Sequence, residues 1–183
     1  MKVVGIVGSP RKGGNTEILV GKVLEGASDK GAEIKTFKLN ELNIRGCQAC
    51  DYCKQHDGCR QQDDMQEIYR ELISADALVV GSPIYISDVN AQTKIFLDRL
   101  YAFLIIGKEP KFPRGKKCVL VYSQGMGDDG RKVMEGVADF LKNALGMDIK
   151  AIVGGNYLNP LGAVKEREDL LKTAYEAGKS LVG

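Results

Sequence analysis

Short apolar runs alternate with helical patterns along almost the whole chain, and this alternation limits the possible folds more than any other feature. Apolar stretches predict strands at Lys2–Val7, Glu33–Leu39, Ala77–Val80, Lys117–Tyr122 and Asp148–Val153. Helical spacing predicts helices at Thr16–Ser28, Met65–Ser74, Ala91–Ile106, Arg131–Leu145 and Val164–Leu181. Uninterrupted apolar strands separated by helices are typical of a parallel sheet that is covered on both faces.

The chain has 183 residues, 44% of them hydrophobic, which suffices for one domain with its own core and is short for two. Five strands and five helices fit an α/β, flavodoxin-like three-layer fold over residues 1–183. Its parallel sheet is expected in the order 2-1-3-4-5, with helices on both faces.

Charge excludes some classes of partner. Lysine and arginine total 26 against 24 acidic residues, and the two signs are interspersed, so nothing marks a surface for nucleic acid or for an anionic membrane. No stretch approaches the roughly 20 apolar residues of a membrane span. The N-terminus MKVVGIVGSP lacks the features of a signal peptide. We therefore expect a cytoplasmic protein whose partner is a small molecule or another protein.

The first motif, GSPRKGGNT at residues 8–16, follows the first strand and opens the first helix. Its glycines free backbone amides, Ser9, Asn15 and Thr16 add polar side chains, and Arg11 adds a positive charge. These groups at a helix N-terminus predict a phosphate site. The motif is neither a Walker loop nor a dinucleotide fingerprint, and an ordinary turn with Asn15 or Thr16 as the N-cap is the alternative.

Two more loops follow strands, GSPIY at residues 81–85 and YSQGMG at 122–127. Ligands of open parallel sheets bind at the carboxyl ends of the strands, so all three loops are expected to meet at one crevice. Pro83 stiffens its loop, and Ile84 and Tyr85 offer apolar or flat contacts to a planar ring, although a tyrosine taken alone is more often a packing residue than a ligand. One phosphate and one planar ring describe FMN. FAD is not expected, because no second nucleotide fingerprint exists.

Four of the five cysteines lie within thirteen residues, in a stretch from Asn40 to Asp63 that has no periodicity. The motif reads GCQACDYCKQHDGC and contains Cys47, Cys50, Cys53 and Cys59. Structural zinc usually takes two cysteine pairs a dozen or more residues apart, whereas ferredoxin-type runs open with two-residue gaps. The spacing favours an iron-sulfur cluster, and zinc or free or disulfide-forming thiols remain the alternatives. Arg60 departs from ferredoxins, which have proline after the fourth cysteine.

Residues around these motifs receive simpler interpretations. His56 is expected to be a solvated loop residue and Cys118 a small hydrophobe in the core. Asp63 and Asp64 are expected to cap and charge the start of the next helix, and Lys94, Asp98 and Arg99 to lie on a helix surface or in salt bridges.

The motif GSPRKGGNT, the stretch DDMQEIYRELISADALVVGSPIYISDVNAQTKIFLDRL and the four cysteines together resemble the iron-sulfur flavoprotein family, a branch of the NADPH-dependent FMN reductase-like group. The resemblance implies one FMN, one [4Fe-4S] cluster and assembly as homodimers or homotetramers. It implies phosphate contacts from Ser9, Arg11, Asn15 and Thr16. It also implies ring contacts from Pro83, Ile84, Tyr85, Ser123 and Gly125, and cluster ligation by Cys47, Cys50, Cys53 and Cys59.

The expected function is an FMN-dependent oxidoreductase or electron-transfer flavoprotein, which passes electrons between NAD(P)H or a ferredoxin-type carrier and an unknown acceptor. One alternative is an NAD(P)H-dependent FMN or quinone reductase whose cysteine loop is only structural. Another is a redox-sensing binding module. No side chain is assigned a catalytic role. The apolar run Ile95–Ile106 predicts burial against another subunit.

Overall fold

The computed structural model describes residues 1–104 and 111–183. The strands are β1 Lys2–Val7, β2 Glu33–Lys38, β3 Ala77–Tyr85, β4 Asp88–Val89, β5 Lys117–Gln124 and β6 Asp148–Gly155. The helices are α1 Asn15–Ser28, α2 Tyr52–Gln55, α3 Met65–Ser74, α4 Ala91–Arg99, α5 Gly130–Leu145 and α6 Glu168–Lys179. Short 3-10 turns lie at Leu39–Glu41, Leu100–Phe103 and Ala163–Glu166.

Five parallel strands pair in the order β2-β1-β3-β5-β6, which confirms the predicted order of the five long strands. The predicted strand count was too low, because β4 pairs antiparallel with the end of β3. The turn between them places Ile86 and Ser87 in the left-handed region, with φ of 48° and 57°. Neither residue is a usual left-handed turn residue, so no local pattern predicts this hairpin.

Helices cover both faces of the sheet, as predicted. On one face Leu19 and Val23 of α1 and Ala174 of α6 pack against Val3 and its neighbours. On the other face the core contains residues of α3, α4 and α5, among them Ile68, Phe96, Met134 and Leu141. The two-sided burial explains why the long strands are continuously apolar.

Two predicted helices differ from the structure by several residues, whereas α1 and α5 each begin one residue earlier than predicted. The helix expected at Ala91–Ile106 ends at Arg99 and continues as a 3-10 turn, and Ile105 and Ile106 lie outside the described residues. The last helix begins at Glu168 rather than Val164, since the chain first forms the 3-10 turn after Gly162, whose φ is 76°. In the described part of the chain, no helix has the length and apolarity needed to cross a membrane.

Candidate functional site

The loop after β1 leaves the start of α1 without a side-chain cap. Gly14 is the N-cap residue, so no side chain accepts the first amides of the helix. Within the loop, Ser9 Oγ accepts from the Arg11 amide at 3.2 Å, and Glu17 accepts from the Gly13 amide at 2.7 Å. The uncapped amides of α1 are the feature of this loop that suits an anion.

The side chain of Asn15 forms hydrogen bonds within the protein. Nδ2 donates to the carbonyls of Leu158 and Pro160 at 2.7 and 2.9 Å, and Oδ1 accepts from the Val164 amide at 3.0 Å. Asn15 therefore ties the loop to residues 158–164. Its backbone amide is what remains for a ligand.

Thr16 and Ser123 bring the first and third loops together. Their hydroxyl oxygens are 2.7 Å apart, and the two residues are 1% and 8% exposed. Residues 158–160 also contact the first loop, since Arg11 donates to the Asn159 carbonyl at 3.0 Å. A Cβ at half-buried Gly125 would come within 3.0 Å of Asn159 Oδ1. The predicted loops thus converge at the carboxyl edge of the sheet.

A buried polar network that sequence reasoning missed holds the second loop. Asn90 caps α4 and donates through Nδ2 to the Gly8 carbonyl at 2.7 Å, while its Oδ1 accepts from Thr93 and Ser82 at 2.7 and 3.2 Å. A Cβ on Gly8 would lie 1.9 Å from Thr93 Oγ1. The sequence signal for this network was Asn90 itself, because an asparagine directly before a helical pattern is a typical N-cap residue.

The end of β3 presents Tyr85 and Ile86 to solvent, with exposures of 44% and 99%. Pro83 and Ile84 are buried, and the Ile84 side chain belongs to the core. A β-branched residue in the left-handed region is uncommon, so the φ of Ile86 marks a backbone held by its surroundings. Of the predicted ring contacts in this loop, Tyr85 is the accessible one.

All four clustered cysteines line one small cavity. Each gap between them contains a residue in the left-handed region, namely Ala49, Asp51 and Gly58, with φ of 48°, 52° and 82°. The backbone therefore changes direction between successive cysteines. Cys53 is buried, Cys59 is half-buried, and Cys47 and Cys50 are exposed.

Two sulfur atoms accept hydrogen bonds from N–H groups. The Ala49 amide donates to Cys47 Sγ at 3.5 Å, and Arg99 Nη2 donates to Cys59 Sγ at 3.6 Å. Burial raises the pKa of the Cys53 thiol. Within residues 1–104 and 111–183, no three cysteine, histidine or carboxylate side chains lie close enough together to hold a metal ion. The thiols share a cavity but do not converge on one point.

Asp63 and Arg99 form a buried bidentate ion pair beside the cysteines. Arg99 Nη1 lies 2.6 Å from Asp63 Oδ2, and Arg99 Nη2 lies 3.0 Å from Asp63 Oδ1. The side chain of Arg99 is 0% exposed and that of Asp63 is 1% exposed. Asp63 also accepts from the Met65 amide at 3.2 Å, which agrees with its predicted capping role. Asp64 is the N-cap residue of α3 but does not cap it, because its carboxylate accepts instead from the Asn43 amide at 2.7 Å. The salt bridge of Arg99 was anticipated, but its burial was not.

Two lysines link the cysteine loop to residues on either side of the segment 105–110. Lys54 Nζ donates to the carbonyls of Tyr101 and Leu104 at 2.8 and 2.5 Å. Lys111 Nζ donates to the His56 carbonyl at 2.7 Å. His56 is exposed, as predicted, and stacks on Tyr52.

Cys118 lies apart from the other cysteines. It is 0% exposed in β5, and burial raises the pKa of its thiol, so the prediction of a core hydrophobe is confirmed. It provides a natural control for the four clustered cysteines.

A groove of about 960 Å³ extends over the surface between the cysteine loop and the ends of the strands. It is lined by Cys47 and Ala49 of that loop, and by Ser87 and Asp129, which follow β3 and β5. Leu97 of α4 and Phe140 of α5 also line it. The groove therefore runs from the cysteine loop to residues that follow β3 and β5, and none of the predicted phosphate or ring contacts lines it.

Comparison with known proteins places the chain in a family. The sequence profile described as NADPH-dependent FMN reductase matches residues 1–157. An iron-sulfur flavoprotein of Methanocaldococcus jannaschii is 35% identical over 178 residues, which cover 96% of this chain and 87% of that protein.

Solved structures agree in fold. The NAD(P)H:quinone oxidoreductase from Methanothermobacter marburgensis has a TM-score of 0.69 at 22% identity, covering 100% of this chain and 95% of that one. The FMN-dependent NADH-azoreductase from Bacillus anthracis, solved with FMN, has a TM-score of 0.68 at 16% identity, with both chains fully covered. The chain thus belongs to the NADPH-dependent FMN reductase family, as a flavin-dependent oxidoreductase related to the iron-sulfur flavoproteins.

Proposed function

We propose that this flavin-dependent oxidoreductase binds FMN at the edge where its three loops meet, and holds a [4Fe-4S] cluster in its cysteine loop. It would pass electrons between NAD(P)H or a ferredoxin-type carrier and an acceptor. The observation that carries this proposal is the groove lined both by Cys47 and by Ser87 and Asp129, because it places the cysteine loop on the same surface as the segments that follow β3 and β5.

The phosphate of FMN would lie at the uncapped start of α1. The backbone amides of Asn15 and Thr16 and the side chains of Ser9 and Arg11 supply donors there, with the partial positive charge of the helix. The Thr16 hydroxyl, which lies 2.7 Å from that of Ser123, would donate a further hydrogen bond to the phosphate at the bottom of the site. The network of Asn90 holds the Gly8 carbonyl and keeps this loop in place.

The flavin ring would contact Tyr85, Ile86 and the backbone near Gly125. Tyr85 and Ile86 are exposed at the end of β3, where a planar apolar ligand would cover them. Pro83 and Ile84 would hold the end of β3 in position for this contact, since both are buried.

Cys47, Cys50, Cys53 and Cys59 would ligate the cluster. Four thiols around one cavity, left-handed residues in each gap and N–H donors to two sulfurs fit an iron-sulfur site. The thiols would have to draw closer together than they are in this structure. When bound, the flavin supplies two-electron chemistry and the cluster one-electron chemistry. The chain itself would bind and orient the two groups.

A second candidate is an NAD(P)H-dependent FMN or quinone reductase whose cysteine loop is only structural. The absence of a ready three-ligand metal site in the described residues favours it, as do the lysine contacts that already hold the loop. A redox-sensing binding module would need neither turnover nor FMN.

Anaerobic purification followed by spectroscopy and analysis of iron, sulfide and flavin tests these proposals. Flavin bands with a broad brown shoulder and about four iron and four sulfide per chain would support the first. Flavin without iron would favour the reductase, and neither cofactor would favour the sensing module. Stoichiometric zinc would exclude the cluster. Stopped-flow flavin reduction by NADH, NADPH and reduced ferredoxin would then identify the donor.

A further inference from the structure

Arg99 is a buried guanidinium whose five N–H donors each have a partner. Nη1 donates to Asp63 Oδ2 and to the Arg45 carbonyl at 2.6 and 2.7 Å. Nη2 donates to Asp63 Oδ1 at 3.0 Å and to Cys59 Sγ at 3.6 Å. Nε donates to Tyr69 Oη at 3.3 Å. A guanidinium has five donors, so none is left over.

These contacts join the two ends of the cysteine loop to α4. Arg45 lies two residues before Cys47, while Asp63 lies four residues after Cys59. Asp63 also accepts from the Arg45 amide at 3.1 Å, so the ends are tied to each other as well as to Arg99. One side chain thus fixes where the loop leaves and rejoins the body of the protein.

The contact with Cys59 needs an explanation beyond packing. A thiol is a weak acceptor, and a buried charged donor gains little from it. A thiolate bound to a metal carries negative charge and is a much better acceptor, since hydrogen bonds to charged groups are the strong ones. Arg99 also lines the cavity that the four cysteines share.

We propose that Arg99 is a positioning residue for the cluster, which orients Cys59 and raises the reduction potential of the bound cluster. This inference rests on the proposed function. Hydrogen bonds to cluster sulfurs and the local net charge set cluster potentials. A donor aimed at a ligand sulfur stabilises the reduced, more negative state, so its loss makes the potential more negative.

Arg99→Lys is the direct test, because it keeps a positive charge beside Asp63 and loses the planar fork that also reaches Cys59. Tyr69→Phe is the matched control, since it removes the Tyr69 hydroxyl, which bonds to Arg99, and leaves the hydrogen bond between Arg99 and Cys59 in place. Wild type and variants are reconstituted anaerobically with ferrous iron and sulfide. Iron per chain is measured, and the cluster midpoint potential is followed by electron paramagnetic resonance.

We expect a more negative midpoint in Arg99→Lys and an unchanged one in Tyr69→Phe. A merely structural role would lower cluster content and leave the midpoint of the remaining clusters unchanged. The double variant Arg99→Met/Asp63→Leu removes both charges together and is measured if Arg99→Lys does not fold. A variant that binds FMN normally but takes up no iron would show a merely structural role and would overturn the inference.

A wild-type midpoint in whichever variant is measured would overturn the inference and leave the proposed function intact. Failure of the wild type to take up iron and sulfide would overturn both.

Discussion

Thr16 and Ser123 are separated by 107 positions in the chain, yet their hydroxyl oxygens lie 2.7 Å apart. The contact joins the start of α1 to the end of β5, two of the three places where the sequence predicted flavin contacts. It occurs because parallel strands bring the loops after their carboxyl ends to one edge of the sheet.

Replacing Thr16 with valine should weaken FMN binding about ten- to a hundredfold. The change keeps the shape of the side chain and removes the hydroxyl, and a hydrogen bond involving a charged group contributes about 1.5–3 kcal/mol. Fluorescence titration of the apoprotein with FMN measures the effect. Thr173→Val on the exposed side of α6 is the control, since its hydroxyl bonds only to the Asp169 carbonyl of its own helix. Equal affinities in the wild type and Thr16→Val would contradict the placement of the phosphate.

Gly8→Ala should lower both stability and FMN affinity, because its new Cβ would lie 1.9 Å from Thr93 Oγ1 and 2.9 Å from the Gly81 carbonyl. The Asn90 network would have to move to accommodate it. Gly21→Ala is the matched control, since no atom lies within 4 Å of a Cβ at this position in α1. It should stabilise the chain by up to about 1 kcal/mol through helix propensity. Thermal unfolding should show that Gly8→Ala is less stable than the wild type and that Gly21→Ala is more stable.

The elements that were predicted well are those in which local pattern and burial agree. The bounds of β1 and α3 match the sequence prediction, since apolar periodicity alone defines them. The end of α4 was not predictable in this way. Leu100 continues the apolar pattern, but Arg99 turns inward to a partner that lies 36 residues away, and no local pattern shows such a pairing.

In the candidate site, too, only features with a local sequence pattern were predictable. The sequence indicates which loops lie at the edge of the sheet, because glycines and strand ends mark them. It does not show that Asn15 points its amide group at residues 158–164, or that Ile84 faces the core while Ile86 faces solvent. Those orientations depend on a hairpin and on a distant segment, neither of which has a local signal.

Asp63 should make stability depend on pH in acid. Burial acts to raise its pKa, but hydrogen bonds from Arg99 and from the Arg45 and Met65 amides outweigh burial, so the pKa lies below its usual value. The stabilisation is therefore complete above the unfolded pKa of about 3.9 and is lost as the pH falls through the lower, folded pKa. Urea unfolding of wild type and Asp63→Asn at several pH values measures it.

Asp63→Asn should lose about 3–5 kcal/mol near neutral pH, since it leaves Arg99 buried without its counter-charge. The difference from wild type should shrink as the pH falls below about 4, because the carboxyl group then takes up a proton in the unfolded chain while it stays charged in the folded one down to its lower pKa. Asp57→Asn is the control in the same loop, because its side chain is fully exposed. A constant difference between wild type and Asp63→Asn across the acid range would show that the carboxylate charge is not involved.

The chain should form a homodimer or homotetramer, although less apolar surface is free than its sequence suggests. In the run from Ile95, Phe96, Leu100 and Phe103 are buried within the chain itself. Half-buried Leu97 and Phe140 line the groove and are available to a second subunit. Sedimentation equilibrium should show an oligomer at micromolar concentration, which Leu97→Glu weakens and Ile73→Glu on α3 does not. A wild-type monomer would contradict this prediction.

Alanine at Cys47, Cys50, Cys53 or Cys59 should abolish or degrade the cluster, and alanine at Cys118 should not. The four residues line one cavity, whereas Cys118 is buried in β5. FMN should remain bound in all five variants, because its proposed contacts come from the loops after β1, β3 and β5. Iron, sulfide and flavin per chain, measured after anaerobic reconstitution, separate the two cofactors. If single cysteine variants keep the wild-type iron content, the thiols do not act together on one centre and the cysteine loop is only structural.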